Sequence, residues 1–267
     1  MPEPIPRLGL GTWSNDDPGQ CATSVRTALE LGYRHIDTAQ GYGNEEAVGQ
    51  GIERADVPRE EVLVATKVST GNLSPEDVIE STERSREKLG VDTIDLLYVH
   101  WPLRTYEAAE TLPAFNELCD DGIIDHVGLS NFEPDQLDEA TEHLSVPILA
   151  HQVEMHPQCP QGELLNYARE DDHWLVAYSP LARGQLFDHP VVSAVANEAD
   201  AHPAQVLLAW LLSKDNVAAI PKATGRDHIE SNYEAQELAL SDDQVARIDA
   251  IDEEDRIVDP GNAPWNR

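Results

Sequence analysis

Four side chains in the first hundred residues carry the parts needed to protonate an oxygen: Asp37, Tyr42, Lys67 and His100. A phenol has an ordinary pKa of about 10, too weak an acid to serve well near neutrality, and a neighbouring ammonium favours its phenolate and lowers that value. Lys67 can tune Tyr42 in this way. Asp37 can hold Lys67 charged and oriented, and His100 can donate a hydrogen bond to a substrate oxygen or relay a proton. Such a set suits carbonyl reduction, because hydride addition builds negative charge on an oxygen that must be stabilised and protonated. Taken singly, each residue has a plainer reading as half of a buried ion pair, a core tyrosine or a satisfied histidine. The set gains weight only if the fold brings its members together.

The elements that must do this alternate along the whole chain. Short β-type runs at about 8–12, 34–37, 62–67, 94–99, 126–130, 148–153, 174–178 and 217–221 are separated by amphipathic helical stretches. Asn44 leads Glu45 and Glu46 into a helix, Ser74-Pro75-Glu76-Asp77 reads as an N-cap followed by proline and acids, and Ser241-Asp242-Asp243-Gln244 reads as a capping box. Gly32, Gly90 and Gly122 suit the left-handed position past a helix end. Eight βα units predict a (β/α)8 TIM barrel spanning residues 1–267 as one domain. An open doubly wound sheet would also alternate, but Gly9-Leu10-Gly11-Thr12 does not complete the dinucleotide-binding glycine turn, and close backbone packing accounts for its glycines.

In a barrel the reactive face lies at the C-terminal ends of the strands. Asp37, Lys67, His100, Asn131, Gln152, Tyr178 and Lys222 fall at or just after the ends of the second to eighth strand runs, and all are expected to ring one mouth.

Composition narrows the partners. The 267 residues contain 50 Asp plus Glu against 18 Lys plus Arg, a formal charge of −32, which argues against nucleic acid. The acids lie between apolar runs such as IDLLYV and AQVLLAWLL, so they coat a packed fold instead of marking disorder. Self-repulsion of this size is relieved by concentrated salt, where the Debye length is only about 3 Å at 1 M, and this predicts a halophile's protein. The first residues lack a basic, then apolar, leader and no stretch approaches a membrane span, so a cytoplasmic location is expected. Cys21, Cys119 and Cys159 are odd in number and far apart, which fits reduced thiols better than a disulfide frame or a metal site.

On these motifs the chain resembles the aldo-keto reductase family over nearly its whole length. Gly32-Tyr33-Arg34-His35-Ile36-Asp37-Thr38-Ala39 with Tyr42, Asn44-Glu45 and Val48-Gly49 is similar to one family signature. Leu96-Leu97-Tyr98-Val99-His100-Trp101-Pro102, Val127-Gly128-Leu129-Ser130-Asn131-Phe132 and Ile220-Pro221-Lys222 are similar to three more. Short loops resemble the prokaryotic group of 2,5-diketogluconate reductases. The resemblance implies a monomeric NADPH-dependent reductase of small aldehydes and ketones, without a metal, in which Tyr42 is the general acid, Lys67 and Asp37 tune it, and His100 positions the carbonyl. It implies that Ser130, Asn131 and Gln152 hold the nicotinamide carboxamide, that Tyr178 stacks on the ring, and that Thr12 and Trp13 lie beside it. Ser179 to Gly184, including Leu181, would cover the pyrophosphate, while Lys222, Thr224, His228 and Asn232 would meet the adenosine end; Asp37 also counts among the cofactor contacts. Trp13, Tyr42, His100 and Trp101 would line the substrate pocket.

Three departures stand out. The family's usual serine, arginine and glutamate around the adenosine phosphate read Ala223, His228 and Ser231 here, so NADH is expected to be usable beside NADPH. The chain begins almost at the first strand, without the hairpin that commonly plugs the barrel floor. Only short runs follow Pro102 and Trp265, which predicts an open pocket for short dicarbonyls or sugar-derived aldehydes. Two rivals come from other classes. One is a regulatory barrel that binds nucleotide without turnover, against which the complete four-residue set argues. The other is a barrel hydrolase using Glu154 with His151 and His156; these sit on a strand, with Gln152, Glu154 and His156 on one face, and strand-end packing accounts better for Glu154 and His156.

Overall fold

The protein's structure is a computed structural model that describes residues 4–266. Eight parallel strands pair in sequence order: β1 Leu10–Gly11, β2 His35–Asp37, β3 Leu63–Val68, β4 Ile94–Val99, β5 Ile124–Ser130, β6 Ile148–Glu154, β7 Trp174–Tyr178 and β8 Val217–Ala219. Parallel bridges Leu8 to Ala219 and Gly11 to Lys222 join the last strand to the first, so the sheet closes into the expected (β/α)8 barrel. The helices outside it are α1 Pro18–Leu31, α2 Glu45–Glu53, α3 Pro75–Leu89, α4 Ala108–Asp120, α5 Pro134–His143, α6 Gly162–Glu170, α7 Pro190–Ala199, α8 Pro203–Leu212, α9 Arg226–Glu234 and α10 Asp242–Asp249.

Strand alternation builds two cores. Ile36, Val64, Leu97, Val99, Val127, Leu129 and Leu175 point outward into the layer shared with the helices. Ala65, Leu96, Tyr98, Ala150, Val176, Ala218 and Ile220 fill the barrel itself. Ile5 joins this inner cluster with Leu63 and Trp174, while Arg7 donates to Val217 O at 3.0 Å and Lys214 O at 2.6 Å. Among the described residues, these side chains pack the lower end of the barrel. Gly11 is required by close approach, since a Cβ there would lie 2.6 Å from the Ile220 carbonyl oxygen, which bears out the packing reading of the first-strand glycines.

The start and stop signals work, with two exceptions, the first being Ser74, which precedes α3 without capping it and donates from Oγ to Asp77 Oδ2 at 2.6 Å instead. Ser241 and Gln244 form the capping box of α10, and Gly32 and Gly90 end α1 and α3 with φ of 113° and 67°. Gly122, at φ 68°, follows the last residue of α4 by two positions. Asn44 precedes α2, but its side chain does not cap it. Its Nδ2 donates to Thr12 O at 2.9 Å and its Oδ1 accepts from Thr38 Oγ1 at 2.8 Å, tying the loop after β1 to the loop after β2.

Candidate active site

Ending a parallel strand at the barrel rim leaves its last inward side chain facing the opening, and this places the polar residues. Asp37, His100, Asn131, Gln152, Tyr178 and Lys222 line one cavity of about 640 Å³ at the strands' C-terminal ends. Lys67 departs from the expected ring. It lies beneath the cavity floor, wholly buried, with Nζ donating to Asp37 Oδ1 at 2.5 Å and Thr38 O at 2.7 Å. An ammonium so enclosed stays charged only because its partners compensate: burial would lower its pKa, and Asp37 with Tyr42 raises it above the ordinary value. The second carboxylate oxygen of Asp37 accepts from Gln152 Nε2 at 2.7 Å, and its backbone carbonyl accepts from Thr12 N and Oγ1, each at 3.0 Å.

Tyr42 leaves a short helical turn, Gln40–Tyr42, and turns inward as expected. Lys67 Nζ lies 5.2 Å from its ring centroid, and the His100 ring meets it edge-on at 5.8 Å. The expectation of a lowered phenol pKa needs correction. Burial pushes it up and outweighs Lys67, whose charge pulls it down, so the net direction is upward. Burial, and then the Lys67 charge, depresses His100 to about 3. His100 is therefore a neutral imidazole near pH 7, able to donate one N–H but not to deliver a proton from an imidazolium.

The opposite wall is a polar chain. Asn131, which adopts φ 64° as asparagine readily does, donates from Nδ2 to His100 O and Ser130 Oγ, both at 3.0 Å, and accepts from Tyr178 OH at 2.8 Å. Ser130 Oγ donates to Gln152 O at 2.9 Å. Both Asn131 amide hydrogens are thus used internally, and the capacity left for a ligand is an acceptor lone pair on Asn131 and one N–H on Gln152 with its carbonyl oxygen.

The loop above the cavity is strained. Ser179, Ala182 and Arg183 have φ of 48°, 47° and 51°, and Gly184 has φ 86°, a concentration of left-handed backbone that non-glycine residues rarely hold. Arg183 carries its guanidinium 4.9 Å from the Trp13 ring centroid, spanning the mouth between the β1 and β7 loops. Neither Arg183 nor Lys222, both exposed at this mouth, forms an ion pair with a carboxylate among the described residues.

Of the other expected residues, Trp13, Trp101, Ser179, Leu181 and Gly184 line the cavity with Tyr42 and Ser130, whereas Thr12 stands behind its wall. Thr224, His228 and Asn232 lie beyond the cavity. The Thr224 carbonyl accepts from Ser24 Oγ at 3.1 Å, His228 is exposed on α9, and Asn232 is buried there. Sequence reasoning missed Phe187 and Val258, which also line the cavity. The chain after α10 encloses more than its length suggested, since Trp265 packs on Trp101 with ring centroids 5.5 Å apart. Glu154 and His156, the hydrolase candidates, pair with each other at 2.8 Å, and Glu154 also accepts from the amides of Ile257 and Val258.

Comparison with known proteins finds relatives along nearly the whole chain. A 9,11-endoperoxide prostaglandin H2 reductase of Trypanosoma cruzi is 37% identical over 262 residues, 97% of this chain and 92% of that protein. The methylglyoxal reductase DkgB of Escherichia coli O157:H7 is 38% identical over 267 residues, 98% of this chain and 99% of that one. The crystal structure of a protein provisionally named 2,5-diketo-D-gluconic acid reductase B superposes with a TM-score of 0.92 at 34% identity, covering 97% of this chain and 92% of its own. The family model for the aldo/keto reductases matches residues 7–253, and the chain belongs to that family.

Proposed function

We propose that this chain is a single-domain, monomeric reductase that converts small aldehydes and ketones to alcohols, with NADPH preferred and NADH usable. The observation that carries the reading is the buried ammonium of Lys67, bound to Asp37 at 2.5 Å and set 5.2 Å from the Tyr42 ring, with His100 against the same ring. The donor set fits a nicotinamide nucleotide. Gln152 and Asn131 keep amide capacity for a carboxamide, the Tyr178 side chain lines the cavity with its hydroxyl anchored on Asn131, and Lys222 and Arg183 offer unneutralised charge to phosphates. When bound, the coenzyme supplies the hydride.

The remaining chemistry belongs to the protein. Tyr42 gives its phenolic proton to the carbonyl oxygen as negative charge grows there, and the Lys67 ammonium stabilises the phenolate left behind. Asp37 keeps that ammonium charged and aimed, and neutral His100 donates an N–H to the same oxygen. The apolar walls, Trp13, Trp101 and Phe187 among them, exclude water and strengthen these interactions. The acidic coat supports function in a salt-rich cytoplasm without a nucleic-acid or membrane partner, and no helix among the described residues is long and apolar enough to cross a membrane.

Mixing the protein with NADPH and methylglyoxal in molar KCl and following loss of reduced-nicotinamide absorbance tests the reading. Tyr42→Phe should lower turnover by about 10²- to 10⁴-fold while leaving NADPH affinity nearly intact. Equal rates for mutant and parent would refute the acid assignment, and tight nucleotide binding without turnover across a carbonyl panel would favour the regulatory role. A preference for NADH above about tenfold in kcat/KM would overturn the coenzyme order.

A further inference from the structure

Glu154 ends β6 on the barrel's inner face, two residues beyond Gln152, yet it takes no part in the proton-transfer set. Its side chain is wholly buried. Oε1 accepts from Ile257 N at 2.7 Å and from His156 Nε2 at 2.8 Å, and Oε2 accepts from Val258 N at 2.8 Å. Burial alone would raise its pKa, but these donors outweigh burial and hold the carboxyl below its ordinary range.

The two amides are consecutive and more than 100 residues away in sequence. One carboxylate gripping two neighbouring N–H groups fixes the direction of a main chain, not only its position. A third tie, Asp255 N to Gln158 O at 3.0 Å, comes from the loop that follows β6. What this grip holds is a wall of the pocket. Val258 lines the cavity, and beyond it Trp265 packs on the cavity residue Trp101. Arg256 covers the Trp265 ring at 3.8 Å, and Asp259 accepts from Trp265 Nε1 at 2.8 Å.

We infer that Glu154 is a positioning residue for substrate selection: by holding the amides of Ile257 and Val258 it sets residues 256–266 as the wall that contacts the substituent of a large carbonyl, aromatic aldehydes above all. The selection part rests on the reading of the cavity as a carbonyl site. A two-carbon substituent does not need this wall, whereas a ring filling the space beside Trp101 and Val258 does, so the effect of loosening the wall grows with substrate size.

Glu154→Gln keeps the shape but turns an NH2 toward one of the two amides, and Glu154→Asp keeps the charge but withdraws it by a methylene. Two measurements follow. Hydrogen exchange at the Ile257 and Val258 amides, which needs no substrate, should accelerate about tenfold or more in Glu154→Gln and less in Glu154→Asp. KM for 4-nitrobenzaldehyde should rise about tenfold in Glu154→Gln, with kcat/KM for methylglyoxal and NADPH affinity within about twofold of the parent. Unchanged exchange would overturn the grip, and an equal loss on both aldehydes would overturn the selective role. A parent that reduces neither aldehyde would refute the carbonyl reading, while exchange would still decide whether Glu154 holds the segment. Should the glutamine variant fail to fold, the aspartate variant carries both measurements.

Discussion

Replacing Lys67 by methionine separates what the buried cation does for the fold from what it does for the chemistry. The Lys67 and Asp37 side chains are 1% and 2% exposed, so the substitution strands a carboxylate in a site where Gln152 is its remaining side-chain donor. Breaking a buried pair from one side costs about 3–5 kcal/mol, because the uncompensated charge must either stay or take up a proton. For a chain of this size that corresponds to a fall in Tm of roughly 6–20 °C. Removing the second charge as well, in Lys67→Met with Asp37→Asn, should recover most of the stability, since a neutral pair of similar shape carries no such penalty. Turnover should not recover. The phenolate left on Tyr42 lacks its counter-charge in both variants, and kcat should stay about 10²- to 10⁴-fold below the parent. Urea unfolding in molar KCl reads the first quantity and NADPH oxidation with saturating methylglyoxal the second. A double variant as unstable as the single one, or a single variant with parental turnover, would refute the reasoning.

Acid should destabilise the fold in a definite window. Burial holds His173 at about 4 and His100 at about 3, and it depresses His35 and His151 as well. The unfolded chain restores these imidazoles to about 6.5, so below that value it binds protons that the native state refuses, and unfolding free energy falls as pH drops from about 6.5 toward 4. Urea midpoints at constant KCl should therefore be lower at pH 5 than at pH 7.5, with a shallower slope for His173→Gln; equal midpoints would contradict the buried neutral state. Because His100 is already neutral, kcat for reduction should show no inflection near pH 6.5, and a break there would return the imidazolium to the mechanism. The net charge of −32 predicts a thermal midpoint higher in molar KCl than in about 0.1 M salt, and calorimetry showing no difference would end the high-salt interpretation.

Much of the architecture was legible because it is periodic. The eight strand runs, the glycines that end α1 and α3, and the rim positions of Asp37, His100, Asn131, Gln152 and Tyr178 follow from alternation and turn chemistry. Features that depend on contacts between distant segments were not. Asn44 reads locally as a helix cap, yet Thr12 and Thr38 are available to its amide in three dimensions. Charge neighbours alone suggest a lowered phenol pKa for Tyr42, but the direction is decided by burial, which no spacing rule reports. Glu154 looked like packing because its partners lie at the far end of the chain, and Val258 and Phe187 carry no pattern that marks a wall.

Arg183 over Trp13, with Lys222 nearby, makes a small cationic gate at the mouth of a molecule whose net charge is −32. A polyphosphate ligand diffusing toward this molecule in dilute buffer is repelled over most approach directions and drawn in only near that gate. Counter-ions shorten the range of the repulsion more than they weaken contact once the ligand has arrived. Coenzyme capture should therefore become faster as KCl is added, the reverse of ordinary electrostatic steering, and stopped-flow rates that decline with salt would show that the gate dominates the far field.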